Sequence, residues 1–484
     1  MADSQRLTTE VLQQLPRIDK TSTDQLLKNA LTGFDRKIIV LDDDPTGVQT
    51  VHDVSVYTDW SPASIENGFR EENPMFFILT NSRGFTRSET VKAHEEIARN
   101  IVRASEKYQR PFIIISRSDS TLRGHYPTET EVLKETVESL TTIKYDGELL
   151  MPFFKEGGRL TYNNIHYVRY NDTFVPAGET EFAGDRTFGY KNSHLGKWIE
   201  EKTDGEFTAE DTTYISLESI RALAIDSITE QLMAVRDFNK IVVNAVDQAD
   251  VQIVAAAVVR AIKSGKNFLF RTAAALPKAI GEVSDRALLT GPELRKEDAS
   301  TGGLIVVGSH VQKTTDQLQE LKRKPQIEFI ELNCPLLIDD EKEQQEINRV
   351  TSQCDSLLQA GKTVTVYTSR KRIDLGPGKS EEELQLSVKI SDAVTQIVRQ
   401  LNVRPSYIIA KGGITSSDIG TKGLSVKKAK VLGQILPGIP VWQTGNESKY
   451  PGISYIIFPG NVGKKSTLRE AVEILEEQKT EVIK

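Results

Sequence analysis

The run "IIVLDDDPTGVQT" (38–50) places three acids, Asp42, Asp43 and Asp44, directly after an apolar stretch and just before Pro45, Thr46 and Gly47. Carboxylates held at the exit of a buried strand can accept a proton from a substrate hydroxyl or hold a magnesium ion, since both tasks need an anionic oxygen at a fixed position. The same residues also suit an Asp-rich turn or a helix cap, and the stretch alone does not separate the two readings. A second apolar run, "IIISRSDSTLRGH" (113–125), ends in Arg117, Asp119, Ser120, Arg123 and Gly124. Two guanidinium forks beside an acid and a hydroxyl fit a small polyhydroxy acid; the plainer reading is an internal Arg–Asp pair. "TNSRGF" (80–85) adds Arg83 at a third exit. Two polar, glycine-bearing stretches, 157–168 with Arg159 and 179–193 with Glu181 and Asp185, read as long loops that either cap a polar ligand or simply cover the surface.

The second half of the chain offers another chemistry. "LIVVGSHVQKTTDQL" (304–318), "YIIAKGGITSSDIG" (407–420) and "YIIFPGNVG" (455–463) each run from an apolar strand into a glycine turn. Glycine lets backbone N–H groups approach phosphate oxygens closely, so three such turns at strand exits point to an anion or nucleotide pocket. The candidates are Gly412, Gly413, Ile414, Thr415 and Gly460, with Ser309 beside Gly308. Lys411 either balances phosphate charge or faces solvent. "GKKS" (463–466) lacks the upstream glycine of a P-loop, and "GPGKSE" (376–381) has Glu381 where a dinucleotide fingerprint needs glycine. No pair of histidines has helical ligand spacing, so no preformed metal site is expected, and no G-x-S-x-G elbow is present.

These exits require strands to carry them. Apolar, β-branched runs predict strands over 37–41, 75–80, 112–116, 146–151, 240–244 and 267–270, and a second series over 304–307, 363–367, 406–409, 441–443 and 454–458. Helical periodicity lies between them, as in 380–401, where Ser380 and Glu383 have capping-box spacing. Near-continuous hydrophobic strands alternating with helices predict an α/β protein of two domains, each a mostly parallel sheet flanked by helices, with a cleft between them. The length of 484 residues suits more than one domain. The expected division is a helical arm over 1–31, a first domain over 32–280, a polar linker over 281–303 and a second domain over 304–484.

Composition excludes other classes. Hydrophobic residues make up 38% and charged residues 27%, as in a soluble globular protein. A net charge of -7 with mixed signs gives no reason to expect nucleic acid or an anionic membrane as partner. Cys334 and Cys354 form no C-x-x-C pair, which argues against a disulfide framework or zinc site and fits a reducing cytoplasm. No run of 18 apolar residues and no signal-peptide pattern occurs.

"DDPTG", "RSDSTLRG", "GSHVQKTTDQ", "KGGITSSD", "PGIPVW" and "FPGNVG", in this order from about Lys37 to Gly463, resemble the four-carbon acid sugar kinase family. The resemblance implies an N-terminal domain for an acid sugar, a C-terminal domain for ATP, and phosphoryl transfer to substrates such as threonate, erythronate and 3-oxo-tetronates. It carries the family's acidic motif onto Asp43, Asp44, Thr46 and Gly47, and its Asp-Ser-Thr-x-Arg-Gly motif onto 119–124. The nucleotide-binding residues it implies are Ser309, Gly412 to Thr415 and Gly460. Pro45, Arg117 and Lys411 depart from shorter members and "FRTAAAL" (270–276) from the Gly-Ser-Ala-Gly turn of many members, while the "KGGITSSD" and "FPGNVG" forms resemble a longer subgroup. Together with the strand exits, it makes Asp44 the expected base or aligner of the acceptor hydroxyl, with Asp43 in support. Arg83, Arg117, Asp119, Ser120, Arg123, Gly124 and Arg159 are expected at the acid sugar. ATP and Mg2+ are the expected cofactors, and a homodimer is a candidate assembly. The alternatives are a kinase for a branched five-carbon acid such as 3-oxo-isoapionate and a nucleotide-regulated sugar-acid sensor.

Overall fold

The computed structural model describes residues 6–295, 300–309, 311–370, 380–460 and 462–477, without the side chains of 380–385. The Ser380/Glu383 capping box, His310 and Asn461 therefore lie outside the described residues. The chain packs as two units, Met1–Thr50 with Asp59–Asp285, and Val51–Thr58 with Arg286–Lys484.

In chain order the strands are β1 (Leu7–Thr8), β2 (Lys37–Asp42), β3 (Ser55–Tyr57), β4 (Met75–Leu79), β5 (Phe112–Arg117), β6 (Gly147–Met151), β7 (Arg159–Tyr162), β8 (Ile165–Tyr170), β9 (Thr173–Pro176), β10 (Thr213–Ile215), β11 (Asn239–Val243) and β12 (Phe268–Thr272), then β13 (Leu304–Val307), β14 (Ile327–Leu332), β15 (Thr363–Thr368), β16 (Ile408–Lys411), β17 (Lys428–Leu436), β18 (Ile439–Thr444) and β19 (Ser454–Phe458). Every strand predicted from the apolar runs is present, with ends moved by no more than two residues.

In the first unit, β10, β11, β6, β12, β5, β2 and β4 lie side by side in that order, all parallel. β2, β4, β5, β6 and β12 are buried along their whole length, which is why they read as unbroken apolar runs. Helix Arg87–Tyr108 packs on Pro62–Arg70 and Thr128–Leu140, while helix Gln248–Lys263 packs on Lys20–Leu31, Ile225–Ala234 and Ala275–Ile280. Both long helices start at capping boxes, Thr86 with Glu89 and Asp247 with Asp250, which satisfy N–H groups left open at a helix start.

The stretch 157–168 is not a loop. It forms the β7–β8 hairpin of a four-stranded antiparallel sheet ordered β1-β9-β8-β7. Asn163 and Asn164, at φ 49° and 63°, make its two-residue turn, and asparagine tolerates the left-handed backbone that such a turn requires. Val168 and Ala177, with Tyr190, Trp198 and Ile199 further along, share a core with Leu122 and Tyr126, so this insertion packs beneath the 119–124 loop.

The second unit's sheet runs β3-β17-β18-β19-β16-β13-β15-β14. From β19 to β14 the strands are parallel, and β3, β17 and β18 extend it with antiparallel pairs. β3 differs from the division drawn on sequence, since Val51–Thr58 belongs to this unit: Tyr57, Val56 and Ser55 pair with Lys428, Ala429 and Lys430, and Val51, Val54 and Val56 are buried. Among the described residues no helix is long and apolar enough to cross a membrane.

Candidate functional site

The ends of β2, β5 and β12 and the turn after β4 bring charged side chains together in the first unit. Asp42, the last residue of β2, accepts Arg117 Nη1 from the end of β5 at 3.2 Å. Arg83 donates to Asp43 through both Nη2 (2.7 Å) and Nε (3.2 Å), and its Nη1 lies 3.5 Å from Asp44 Oδ2. Asp44 Oδ1 accepts the backbone N–H of Thr46 at 2.8 Å and its hydroxyl at 2.5 Å, so Thr46 orients the carboxylate. A Cβ on Gly47 would fall 1.9 Å from Asp42 Oδ2, and only glycine lets the turn close over that acid.

The three acids differ in charge and access. Asp42 and Asp43 have side chains 2% exposed, whereas that of Asp44 is 21% exposed. Burial pushes Asp42 up to about 7 against the pull of Arg117, with Asp43 and Asp44 adding to the rise, and burial likewise raises Asp43 despite Arg83. For Asp44 burial also opposes ionisation, but Arg83 and the Thr46 donors outweigh it and hold it below the usual carboxylate range. Asp44 thus combines a lowered pKa with the greatest exposure of the trio.

Asp119 accepts Arg123 Nε at 2.6 Å and the Thr121 hydroxyl; the nearby Arg83 and Arg123 overcome burial and hold it low. Arg123 Nη1 also approaches Asp185 Oδ2 at 3.7 Å. Gly124 adopts φ +125°, and a Cβ there would meet Arg271 Nη2 at 2.9 Å. Ser120 has its carbonyl 2.7 Å from His166 Nε2. Arg159 joins the group through Phe182, whose ring both Arg123 and Arg159 face.

One expectation needs correcting. Arg117 does not present a free fork: its side chain is 5% exposed and donates to Asp42, whose rise on burial it opposes.

Several residues not singled out by sequence shape the loop. Arg271, at the end of β12, donates to the Arg123 carbonyl (3.1 Å) and to Glu129 Oε2 (3.1 Å), and Glu129 also accepts Ser82 Oγ at 2.7 Å. Tyr190 donates to the Thr121 carbonyl at 2.8 Å. Burial lowers His166 to about 4, so near neutral pH it is an uncharged ring held between Thr161 Oγ1 and the Ser120 carbonyl. These partners lie tens of residues away, and no local pattern marks them.

In the second unit the three glycine turns converge. A Cβ on Gly308 would lie 2.4 Å from Thr415 Oγ1; one on Gly412, at φ +126°, would lie 3.0 Å from that atom and 3.1 Å from Ser309 Cβ; one on Gly460 would lie 3.5 Å from Ser309 Oγ. Gly308, Ser309, Gly412, Gly413, Ile414 and Thr415 line a cavity of about 320 Å³, closed by Ser387, Ile390, Ser391 and Val394 of helix Ser380–Gln400. Ile414 is 75% exposed there. Lys411 is neither solvent-facing nor free. It is fully buried, donating to the carbonyls of Pro459 (2.5 Å) and Gly460 (3.3 Å), and burial, with Lys313 adding, lowers it to about 7. Arg370, absent from the sequence candidates, donates to the Ser309 carbonyl at 2.6 Å and Thr315 Oγ1 at 2.8 Å. Among the described residues no group of three His, Cys, Asp or Glu side chains is arranged to hold a metal ion.

Residues 38–280 match the family model of a sugar-binding N-terminal domain, and residues 304–468 match that of a nucleotide-binding C-terminal domain. No curated protein matches the chain in sequence. A solved structure of a Salmonella typhimurium LT2 protein, provisionally named a tRNA synthase, is similar with a TM-score of 0.64 and 15% identity over 90% of this chain and 98% of that one. Haemophilus influenzae protein HI1011, of family DUF1537, is similar with a TM-score of 0.61 and 16% identity over 90% of this chain and 100% of that one. At such identities the likeness speaks for the fold alone. With the acid cluster inside the sugar-binding match and the glycine turns inside the nucleotide-binding match, the chain belongs to the four-carbon acid sugar kinase family, a family of nucleotide-binding sugar-acid kinases.

Proposed function

We propose that this protein is an ATP-dependent kinase that phosphorylates a hydroxyl of a small acid sugar, a four-carbon aldonate or 3-oxo-tetronate. The observation that carries the reading is the character of Asp44, held ionised and partly exposed next to the buried Asp42 and Asp43, whose charge burial resists. Phosphoryl transfer asks little covalent chemistry of a protein; it needs an aligned acceptor and neutralised charge. Asp44 accepts the hydrogen of the acceptor hydroxyl, orients the oxygen lone pair for attack, and takes the proton as the new P–O bond forms and the bond from the γ-phosphorus to the bridging oxygen of the departing ADP breaks. Thr46 and Arg83 keep its carboxylate fixed, so little reorganisation is needed during reaction. Asp119 and Arg123 engage the remaining polar groups of the sugar.

Ser309, Gly412 to Thr415 and Gly460 would hold the nucleotide: Gly308 and Gly412 leave little room for a Cβ, and glycine turns at strand exits let phosphate oxygens approach the backbone closely. ATP would supply the transferred phosphoryl group, and Mg2+ would offset the phosphate charge. Asp44→Asn should lower kcat by about 10²- to 10⁴-fold while ATP affinity stays within about twofold. An unchanged kcat would remove Asp44 from the reaction.

A further inference from the structure

We infer that Arg159 and Arg123, both facing the ring of Phe182, form the seat of the substrate's carboxylate, with Phe182 as the residue that positions them. The inference rests on the reading of this region as an acid-sugar site.

The guanidinium carbons of Arg123 and Arg159 lie 5.1 and 5.7 Å from the same Phe182 centroid. Two like charges on one ring repel each other, and their arrangement needs compensating negative charge. Arg123 has it, from Asp119 at 2.6 Å and Asp185 at 3.7 Å. Arg159 has no such close partner: it donates Nη1 to the Gly157 carbonyl, forms no ion pair among the described residues, and has a buried Nε without a hydrogen-bond partner, with Asp119 and Glu181 acting on it only from beyond ion-pair distance. Burial works against its charge and Arg123 adds to the effect, while Asp119, Tyr170 and Glu181 offset it only in part, so its pKa is lowered. A partly buried guanidinium in this state gains most from a planar anion that takes two parallel N–H bonds, and a carboxylate has that geometry.

Three neighbouring arginines are ion-paired. Arg117 is spent on Asp42, Arg83 on Asp43 and Asp44, and Arg271 on Glu129. Arg159 starts β7 and Phe182 packs against the core that also holds Leu122 and Tyr126. The insertion therefore carries half of the seat and fixes the platform for the other half.

The test is calorimetric binding, without ATP, of threonate, erythronate and their carboxamides to the full chain. Arg159→Gln should weaken the two acids by about 10- to 100-fold and leave the carboxamides within about twofold. Arg159→Lys should recover part of the acid affinity, since it restores charge without the fork. Phe182→Leu should reduce acid affinity by a smaller factor, again sparing the carboxamides. Equal weakening of acids and carboxamides by Arg159→Gln, unchanged acid affinity, or no binding of any of these compounds to the parent protein would each overturn the seat. Acid binding that depends on Arg159 without any phosphoryl transfer would instead remove the kinase reading and leave the seat standing.

Discussion

Arg83→Met keeps the aliphatic stem and removes the guanidinium. Asp43, with a side chain 2% exposed, then loses donors at 2.7 and 3.2 Å, and Asp44 loses its partner at 3.5 Å. Removing one member of a buried ion pair destabilises by roughly 3–5 kcal/mol. Water reaches Arg83, which is 23% exposed, and Arg117 Nη1 remains 3.9 Å from Asp43, so the expected loss lies lower, at about 2–3 kcal/mol. The loss depends on pH. Burial already raises Asp43, with Glu129 adding, and without Arg83 it rises further. A carboxylate whose folded-state pKa is raised contributes its stability fully below the unfolded value and gives it up as pH rises through the folded value. The penalty of Arg83→Met is therefore largest near about pH 8 and shrinks towards about pH 5. Urea unfolding of the parent, Arg83→Met, Asp43→Asn and the double variant measures it, and in the Asp43→Asn background losing Arg83 should cost less than about 1 kcal/mol. A penalty equal at both pH values, or undiminished by Asp43→Asn, would refute the assignment of Arg83 as counter-ion to Asp43.

Lys411 has its pKa lowered from 10.5 to about 7, so the unfolded chain binds a proton over a window in which the folded one does not. Stability should rise with pH across that window by about 1.4 kcal/mol per pH unit, and Lys411→Met should flatten this slope in urea titrations between about pH 7 and pH 9. Gly412→Ala adds a Cβ 3.0 Å from Thr415 Oγ1 on a backbone at φ +126°, a strain of about 1–3 kcal/mol. It should weaken ATP binding by about tenfold or more while leaving acid-sugar binding unchanged, both read by calorimetry.

The strand exits were legible because parallel strands buried on both faces leave an unmistakable trace: 38–41 and 112–115 are almost wholly apolar, and the residues that follow them are the charged ones. The three glycine turns could be read for the same reason. Half-exposed antiparallel strands leave a weaker trace. β17 alternates buried and open positions with lysines at its start, and β7–β8 is interrupted by Asn163 and Asn164, whose turn signal was present but lay within a polar stretch that reads as loop. Six of the seven strands of the first unit's parallel sheet could be anticipated, the three-residue β10 being the exception, while the insertion that supports the 119–124 loop could not. Arg271, Glu129, His166 and Tyr190 act on side chains or carbonyls across the fold, and a single sequence has no periodicity that records such contacts. Arg117 shows the converse: its type and place suited a ligand, but a buried aspartate next door claimed it.

The central claim, ATP-dependent phosphorylation of an acid sugar, is tested most directly by ADP release with Mg-ATP over threonates, erythronates, 3-oxo-tetronates and branched five-carbon oxo acids. The account predicts turnover of one acid well above background hydrolysis, none of the neutral alditol of the same length, and loss of that turnover in Asp44→Asn. Binding of ATP and of the acids without ADP release from any of them would contradict it.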